Sequence, residues 1–226
     1  MTRSSAEISP GPPGDGLVVL IHGLGRSSGS MWVLARRLEA AGYRTVCLRY
    51  PSRSLSLDQA VARVLAQIRS LPACDGPLHL VGHSLGGVIA ARLPELAPDL
   101  PIGRIVQLGS PNAGSGVADT LLDVPIARRV FGPVLGDLAR HPGPASRARR
   151  GVAIGAIAGR LPSSAFGEVV GLQGPNDGLV EVHSAIAGVD RHLVLPLLHG
   201  LLPISAKVSR QTIRFLRQGD FEGPAP

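Results

Sequence analysis

The chain has 226 residues, of which 44% are hydrophobic and only 3% aromatic, so it is long enough for one domain with an aliphatic core. Its formal charge of +7 comes almost wholly from arginine, and no zinc-finger, helix-turn-helix or aromatic-rich pattern accompanies that charge. We therefore interpret the charge as composition bias and expect no nucleic-acid partner. Neither Cys47 nor Cys74 lies in a metal-ligand spacing, which indicates inert thiols.

The first 16 residues are polar and rich in proline and glycine, which predicts a flexible leader, residues 1–16. They contain no apolar stretch of the kind found in signal peptides. The longest apolar run, Leu193 to Ile204, is too short to span a bilayer and is interrupted by two prolines. From these features we expect a cytoplasmic protein.

Strand and helix signals alternate after the leader. Leu17 to Ile21 is a continuous apolar run, typical of a strand that is buried on both faces of a parallel sheet. The lone tryptophan, Trp32, is expected to pack against the sheet. A contact with a ligand is the alternative, because the helix of Trp32 begins near the loop His22-Gly23-Leu24-Gly25. The later predicted elements are a helix over about 31–41 with Ser30 as its N-cap, a strand over 44–50, a helix after the capping box Ser56 to Gln59, and strands over 104–108, 151–159 (or alternatively 168–172) and 191–195.

The centre of the chain carries Gly82-His83-Ser84-Leu85-Gly86-Gly87 between an apolar strand pattern and a helical pattern. A strand that turns directly into a helix strains the residue at the corner and requires neighbours without side chains. This arrangement is the nucleophile elbow, in which the Ser84 hydroxyl stands at the top of the sheet. The alternative is a glycine-rich helix start with a capping serine, which leaves the second flanking glycine unexplained.

The alternation stops between about residues 113 and 150, where short amphipathic segments take over. We predict a small helical lid there, over the edge of the sheet. Residues 114–160 contain seven arginines and three aspartates, so a transient contact of this basic lid with an anionic lipid surface is one interpretation. A solvated helix face is the other.

The end of the chain predicts a closing helix over about 205–217, with Val208, Thr212, Phe215 and Leu216 facing inward. Residues 219–226 read as a flexible tail. The sequence thus predicts a single α/β domain over 17–218, with a mostly parallel central sheet and helices on both faces.

A serine nucleophile needs a base, and the base needs a carboxylate that fixes its tautomer. Of the histidines after Ser84, only His199 follows directly on the last predicted strand, where parallel sheets carry their active-site groups. Asp177, in a turn-rich Asn-Asp-Gly segment, is the best candidate acid, although such an aspartate also bonds backbone amides in ordinary turns. Asp190 is the second candidate, but it precedes the last strand and should lie at the opposite end of the sheet.

An acyl transfer also needs hydrogen-bond donors for the developing oxyanion. The amide N–H of Leu85 is one candidate donor, and that of Leu24, within His22-Gly23-Leu24-Gly25, is the other. We expect His22 to fix its loop and His83 to pack or to bond backbone.

Five features together resemble the α/β-hydrolase superfamily over about residues 17–217. They are His-Gly-Leu-Gly, Gly-His-Ser-Leu-Gly-Gly, Gly-Ser-Pro-Asn-Ala-Gly-Ser, Asn-Asp-Gly-Leu-Val and the late His199. Within it the motifs are most similar to those of bacterial serine esterases and triacylglycerol lipases. The resemblance implies a nucleophile at Ser84, an acid at Asp177, a base at His199, oxyanion donors at Leu24 and Leu85, and no cofactor or metal in the reaction.

The expected activity is hydrolysis of small-molecule or lipid carboxylic esters with short or medium acyl chains. An acyltransferase or thioesterase would use the same three residues, because the acceptor depends on pocket shape. A non-catalytic protein that binds a ligand or partner through the lid is an alternative of a different class.

Overall fold

The computed structural model describes residues 16–73, 76–123, 129, 131–139, 151–161, 172 and 174–222. Within them, six strands form one sheet in the order β2-β1-β3-β4-β5-β6, and every neighbouring pair is parallel. The strands are β1 Leu17–Ile21, β2 Arg44–Cys47, β3 Leu78–His83, β4 Ile102–Leu108, β5 Ala153–Gly159 and β6 Arg191–Leu195. The strand order reverses between β1 and β3, which opens a crevice at their carboxyl ends.

All helices but the last lie in the connections between successive strands, and the last one follows β6. They are α1 Trp32–Ala40, α2 Leu57–Arg69, α3 Leu85–Leu96, α4 Gly116–Leu122, α5 Val134–Ala139, α6 Val182–Ala185 and α7 Ala206–Gln218. Two 3-10 segments, Ser28–Met31 and His199–Ile204, precede α1 and α7.

Two aliphatic clusters cover the two faces of the sheet. Val19 and Ile21 of β1 pack with α2 and α3 on one face, whereas Val18 and Leu20 pack with α1 and α7 on the other. Successive side chains of a strand point to opposite faces, so a strand covered on both sides has to be apolar throughout. The predicted α/β fold, with a parallel sheet between helices, is confirmed.

Several predicted boundaries need correction. The strand predicted over 44–50 ends at Cys47. Ser30 does not cap α1, because it lies inside the 3-10 segment that precedes the helix, where its hydroxyl donates to the carbonyl of Ser27 at 2.7 Å. The capping box predicted at Ser56 and Gln59 is confirmed, and it starts α2.

Trp32 does not pack against the sheet. Its side chain is 61% exposed, because α1 turns Leu34, Ala35 and Leu38 toward the core and leaves Trp32 on another side of the helix. The prediction for this residue was therefore wrong.

Two described segments next to the chain ends make contacts with the rest of the fold. Gly16, assigned to the leader, accepts a hydrogen bond from the amide of Arg44 at 3.2 Å. In the predicted flexible tail, the ring of Phe221 stacks on that of Phe215 at 4.8 Å, and the amide of Glu222 donates to Gln211 at 2.8 Å. Residues 219–222 thus belong to the packed fold.

Some predictions lie outside the described residues. These are the leader before Gly16, the tail after Glu222, Cys74, His141, most of the alternative strand over 168–172, and the parts of the predicted lid at 124–128, 130 and 140–150. No helix in the described part of the chain combines the length and the apolar character that crossing a membrane requires. The cytoplasmic location stays a prediction.

Candidate active site

Ser84 occupies the corner between β3 and α3 in a strained backbone conformation. Its φ is 54° and its ψ is −123°, and it is the only residue other than glycine with a positive φ in the described part of the chain. Such a conformation is costly for an L-amino acid and persists only where the surroundings enforce it. A Cβ on Gly82 would overlap the backbone of Gly86, and one on Gly86 would overlap the carbonyl oxygen of Ile21. The flanking glycines are thus required by close backbone packing, as the elbow pattern predicts.

Asp177 and His199 form a buried pair beyond the carboxyl ends of β5 and β6. The Nδ1 atom of His199 lies 2.8 Å from Oδ2 of Asp177, and the two side chains are 6% and 1% exposed. The backbone amide of His199 also donates to the carbonyl oxygen of Asp177 at 3.0 Å. With Nδ1 bonded to the carboxylate, Nε2 is left as the proton-accepting nitrogen of a neutral imidazole.

The Asp177 carboxylate has two roles at once. Its Oδ1 accepts the amides of Leu179 and Val180 at 3.0 and 2.8 Å, which is the turn geometry of an Asx residue. Its other oxygen, Oδ2, is left for His199. The turn interpretation and the orienting interpretation of Asp177 are therefore compatible.

Ser84 and His199 line the same cavity, which has a volume of about 160 Å³. No hydrogen bond joins their side chains in the described structure. In a ligand-free site such a bond is often absent and forms only when the substrate is bound. The remaining walls are mostly aliphatic and come from α4, α5 and the loops around them: Val117, Ala118, Leu121, Phe131, Leu135 and Leu138.

The backbone around Ser84 offers two amide donors. A Cβ on Gly23 would lie 3.1 Å from Cβ of Ser84, so the loop that carries Leu24 passes directly beside the serine. Leu24 itself lines the cavity, and Leu85 is the first residue of α3. Within the described residues, neither the amide of Leu24 nor that of Leu85 donates a hydrogen bond to another group. Both N–H groups therefore remain available to an oxyanion.

Two further imidazoles pack around these residues. His83 donates from Nε2 to the carbonyl oxygen of His199 at 3.2 Å, and their ring centroids are 4.7 Å apart. Burial, and secondarily the charge of His199, hold the pKa of His83 well below its usual value. His22 stacks on Tyr50 at 4.4 Å and bonds the carbonyl of Gly23, while burial lowers its pKa. Both histidines fix backbone, as expected.

The alternative candidates from the sequence lie elsewhere. Asp190 accepts the amide of Ile154 at 2.8 Å at the amino end of the sheet, far from the cavity. His183 lies in α6, and His192 is exposed on β6. Burial raises the pKa of the Cys47 thiol to about 11, so this cysteine is a poor nucleophile at neutral pH. Among the described residues, no group of three histidines, cysteines or carboxylates is arranged to hold a metal ion.

The sequence analysis missed the polar network that fixes the Gly-Ser-Pro-Asn-Ala-Gly-Ser loop. The side-chain amides of Gln107 and Asn112 bond each other in both directions at 2.9 Å, and Asn112 also donates to the carbonyl of Ala185. The hydroxyl of Ser184 bonds the carbonyl of Gly114. The loop forms a recognisable motif, but its partners Ser184 and Ala185 are 70 and 73 residues away, so sequence spacing gives no signal for them.

Comparison with known proteins identifies the family and the fold of the chain. A family model described as "Alpha/beta hydrolase family" matches residues 18–208. A 2-hydroxy-6-oxononadienedioate/2-hydroxy-6-oxononatrienedioate hydrolase from Pseudomonas sp is 26% identical over 122 residues, which cover 50% of this chain and 42% of that relative. The chain thus aligns with less than half of the length of this curated relative.

Solved structures with the same fold include lipases and esterases. The mature form of a Bacillus licheniformis lipase superposes with a TM-score of 0.66 at 18% identity, covering 92% of this chain and 91% of the lipase. A metagenomic carboxyl esterase superposes with a TM-score of 0.65 at 21% identity, covering 82% of this chain and 64% of the esterase. At these identities the similarity establishes the fold. Since the family model spans all six strands, from within β1 to within α7, the chain belongs to the alpha/beta hydrolase family.

Proposed function

We propose that this hydrolase cleaves carboxylic esters through an acyl-serine intermediate, with Ser84 as nucleophile, His199 as base and Asp177 as the carboxylate that orients the base. The observation that carries the proposal is the buried 2.8 Å contact between Asp177 and His199 beside the cavity that holds the strained Ser84. A carboxylate, an imidazole and a serine hydroxyl in this order are the groups that acyl transfer to serine needs.

The proposed reaction has two halves. As Ser84 Oγ bonds to the ester carbonyl carbon, its proton passes to Nε2 of His199, and the carbonyl oxygen gains the negative charge. The amides of Leu24 and Leu85 donate to that oxygen, and one such donor typically contributes about 3 kcal/mol to the lowering of the barrier. When the tetrahedral species collapses, the carbon–oxygen bond to the alcohol breaks and the alcohol takes the proton from His199.

Water completes the cycle. Its proton passes to Nε2 of His199 while its oxygen bonds to the acyl carbon, and the bond to Ser84 Oγ then breaks. Ser84 recovers the proton from His199, and a carboxylic acid is released. Every step uses the same imidazole nitrogen, because Nδ1 stays bonded to Asp177 throughout.

The acyl group is proposed to lie in the aliphatic cavity beneath α4 and α5. The modest volume of that cavity, about 160 Å³, and its apolar walls favour short or medium acyl chains. We also propose that residues 113–150, to which α4 and α5 belong, form a lid on a single domain over 17–218. A transient contact of this basic segment with a lipid surface remains part of the proposal.

The proposal is tested by steady-state kinetics with a series of p-nitrophenyl esters from acetate to decanoate, beside acyl-CoA, with and without added alcohols. We expect the highest kcat/KM for an ester of short or medium chain length, with water as the acceptor. If the acyl group passes mainly to the added alcohol, the protein is an acyltransferase and not an ester hydrolase. No turnover of any ester or thioester would contradict the proposal.

A further inference from the structure

A second cleft adjoins the cavity at His199. It has a volume of about 440 Å³ and lies on the side of the imidazole away from α4 and α5. The two spaces share His199, Leu179 and Arg26, but Ser84 lines only the first one. A substrate that occupies both spaces would therefore pass across the imidazole of His199.

The position of His199, the proton donor, indicates which part of the substrate each space holds. This step rests on the proposed function, in which His199 gives its proton to the departing alcohol. The alcohol must therefore lie next to His199 when its bond breaks. Because the first cavity contains Ser84 and suits the acyl chain, the second cleft is the space that remains for the alcohol.

The second cleft has apolar walls and one cation. The walls are Leu161, Leu179, Leu198 and Leu201, of which the last three are exposed to solvent. Arg26 is the only lysine or arginine among the described residues that line either space. The carboxylate of Asp177, which also borders the cleft, is already engaged with His199 and two backbone amides.

The guanidinium of Arg26, a solvent-exposed residue, is close to the base. Its Nη2 atom lies 3.2 Å from the position that a Cβ would take on Gly200, the neighbour of His199. No carboxylate of the described chain forms an ion pair with it. The charge of Arg26 also reaches this site, since it contributes to the low pKa of His83.

An unpaired cation at this position opposes the reaction with a neutral substrate. In the proposed mechanism His199 becomes a cation when it takes the serine proton, and Arg26 repels that charge. A negative group on the substrate beside Arg26 would offset the repulsion and would gain a charge-assisted hydrogen bond as well.

We infer that Arg26 is a specificity-determining residue that selects esters whose alcohol part carries an anionic oxygen group, a carboxylate or a phosphate. The apolar body of such an alcohol packs against Leu198 and Leu201, and its anionic end reaches the guanidinium. The preferred substrate is thus an ester with a neutral aliphatic acyl group and an amphiphilic, anionic leaving alcohol.

The test compares matched esters with one acyl group. Methyl 4-(butanoyloxy)benzoate has a neutral alcohol part, 4-(butanoyloxy)benzoate carries a carboxylate, and 4-(butanoyloxy)phenyl phosphate carries a phosphate. The quantity measured is the ratio of kcat/KM for each anionic ester to kcat/KM for the neutral one, in wild type, Arg26→Gln, Arg26→Lys and the control Arg63→Gln. Arg63 is an exposed arginine of α2 that lines neither space. Intrinsic ester reactivity and the folded fraction of each preparation cancel when these ratios are compared between variants.

We expect Arg26→Gln to lower the ratio about tenfold for at least one anionic ester, Arg26→Lys to lower it less, and Arg63→Gln to leave it unchanged. The ester that shows the larger effect identifies carboxylate or phosphate as the preferred group. An equal ratio in wild type and Arg26→Gln for both anionic esters, with all three esters hydrolysed, overturns the inference about Arg26 alone. Absence of turnover of every ester overturns the proposed function and this inference with it.

Discussion

Gly109 lies directly against the imidazole of His199: a Cβ built on Gly109 would be 3.0 Å from Nδ1 of His199. The same Cβ would lie 3.1 Å from Oδ2 of Asp177, so it would press on the contact between the base and its carboxylate. Gly109 also has a φ of +58°, which disfavours any residue with a side chain. Both the space beside the pair and the backbone conformation therefore favour glycine at the residue after β4.

Replacing Gly109 by alanine should displace His199 by a few tenths of an ångström. We expect kcat/KM for p-nitrophenyl butyrate to fall by up to about 100-fold, the loss that a misplacement on the order of 1 Å would cause. Gly136→Ala is the matched control, because a Cβ there meets nothing within 4 Å. Steady-state kinetics on both variants, with circular dichroism to verify folding, measures the difference. Equal kcat/KM in the folded Gly109→Ala variant and wild type would show that the pair tolerates displacement or has no role.

Removing the charge of Asp177 separates its orienting role from its turn role. Asp177→Asn retains an oxygen for the amides of Leu179 and Val180. It presents an amide donor to Nδ1 of His199, however, and so favours the imidazole tautomer in which Nε2 already carries the proton. We expect kcat to fall about 10³- to 10⁴-fold. Asp190→Asn, at the other end of the sheet, should change kcat by less than about twofold. Comparable losses in the two variants would indicate that Asp177 acts only on the fold.

The buried histidines make the fold sensitive to acid. The pKa of His83 and that of His22 are lowered in the folded state, so the unfolded chain binds more protons as the pH falls below about 6.5. The free energy of unfolding is therefore highest above that pH, and below it decreases by at most about 1.4 kcal/mol per pH unit for each histidine.

This dependence can be measured by urea unfolding at pH 7.5, 6.5 and 5.5. We expect the free energy of unfolding to decrease over this range in wild type and to decrease less steeply in His83→Gln, which cannot be protonated. His192→Gln, an exposed position on β6, serves as the control and should retain the wild-type slope. A slope that His83→Gln leaves unaltered would contradict the assignment of His83 as a buried neutral group.

The amide pair of Gln107 and Asn112 should be important for stability. Asn112→Ala removes the partner of the Gln107 side-chain oxygen and of the Ala185 carbonyl in a buried environment, while Nε2 of Gln107 keeps its bond to the carbonyl of Gly87 at 2.9 Å. The expected loss is about 2–4 kcal/mol in the free energy of unfolding. Gln67→Ala removes an exposed amide of α2 and should change stability by less than about 0.5 kcal/mol. Thermal or urea denaturation distinguishes the two; equal losses would mean that the network contributes little.

Much of the fold was predictable because local sequence determines it. β1 coincides with its apolar run, β6 has the predicted bounds 191–195, and the capping box at Ser56 starts α2. Trp32 was not predictable in the same way, because a lone aromatic residue at the first turn of a helix says nothing about which side meets the sheet. β2 ends at Cys47, the partner of Leu20, although β1 continues to Ile21, and such pairing is not revealed by the sequence alone.

In the candidate site too, some residues were predictable from local sequence and others were not. Ser84 and His199 were selected by their positions at strand ends, which a parallel topology brings together. Asp177 was selected by its turn-rich Asn-Asp-Gly segment. Gly109, the contact of His83 with the His199 carbonyl, and the partners of Asn112 all depend on residues that meet only in the folded chain. Spacing along the sequence carries no information about such contacts.

Covalent labelling can identify the nucleophile, which we propose to be Ser84. The protein is treated with a fluorophosphonate, and peptide mass spectrometry locates the adduct in wild type, in Ser84→Ala and in the control Ser27→Ala, which removes an exposed serine of a neighbouring loop. The account predicts one adduct, on Ser84, in wild type and Ser27→Ala and none in Ser84→Ala. An adduct on a different residue, or an unlabelled Ser84 in folded protein that hydrolyses esters, would contradict it.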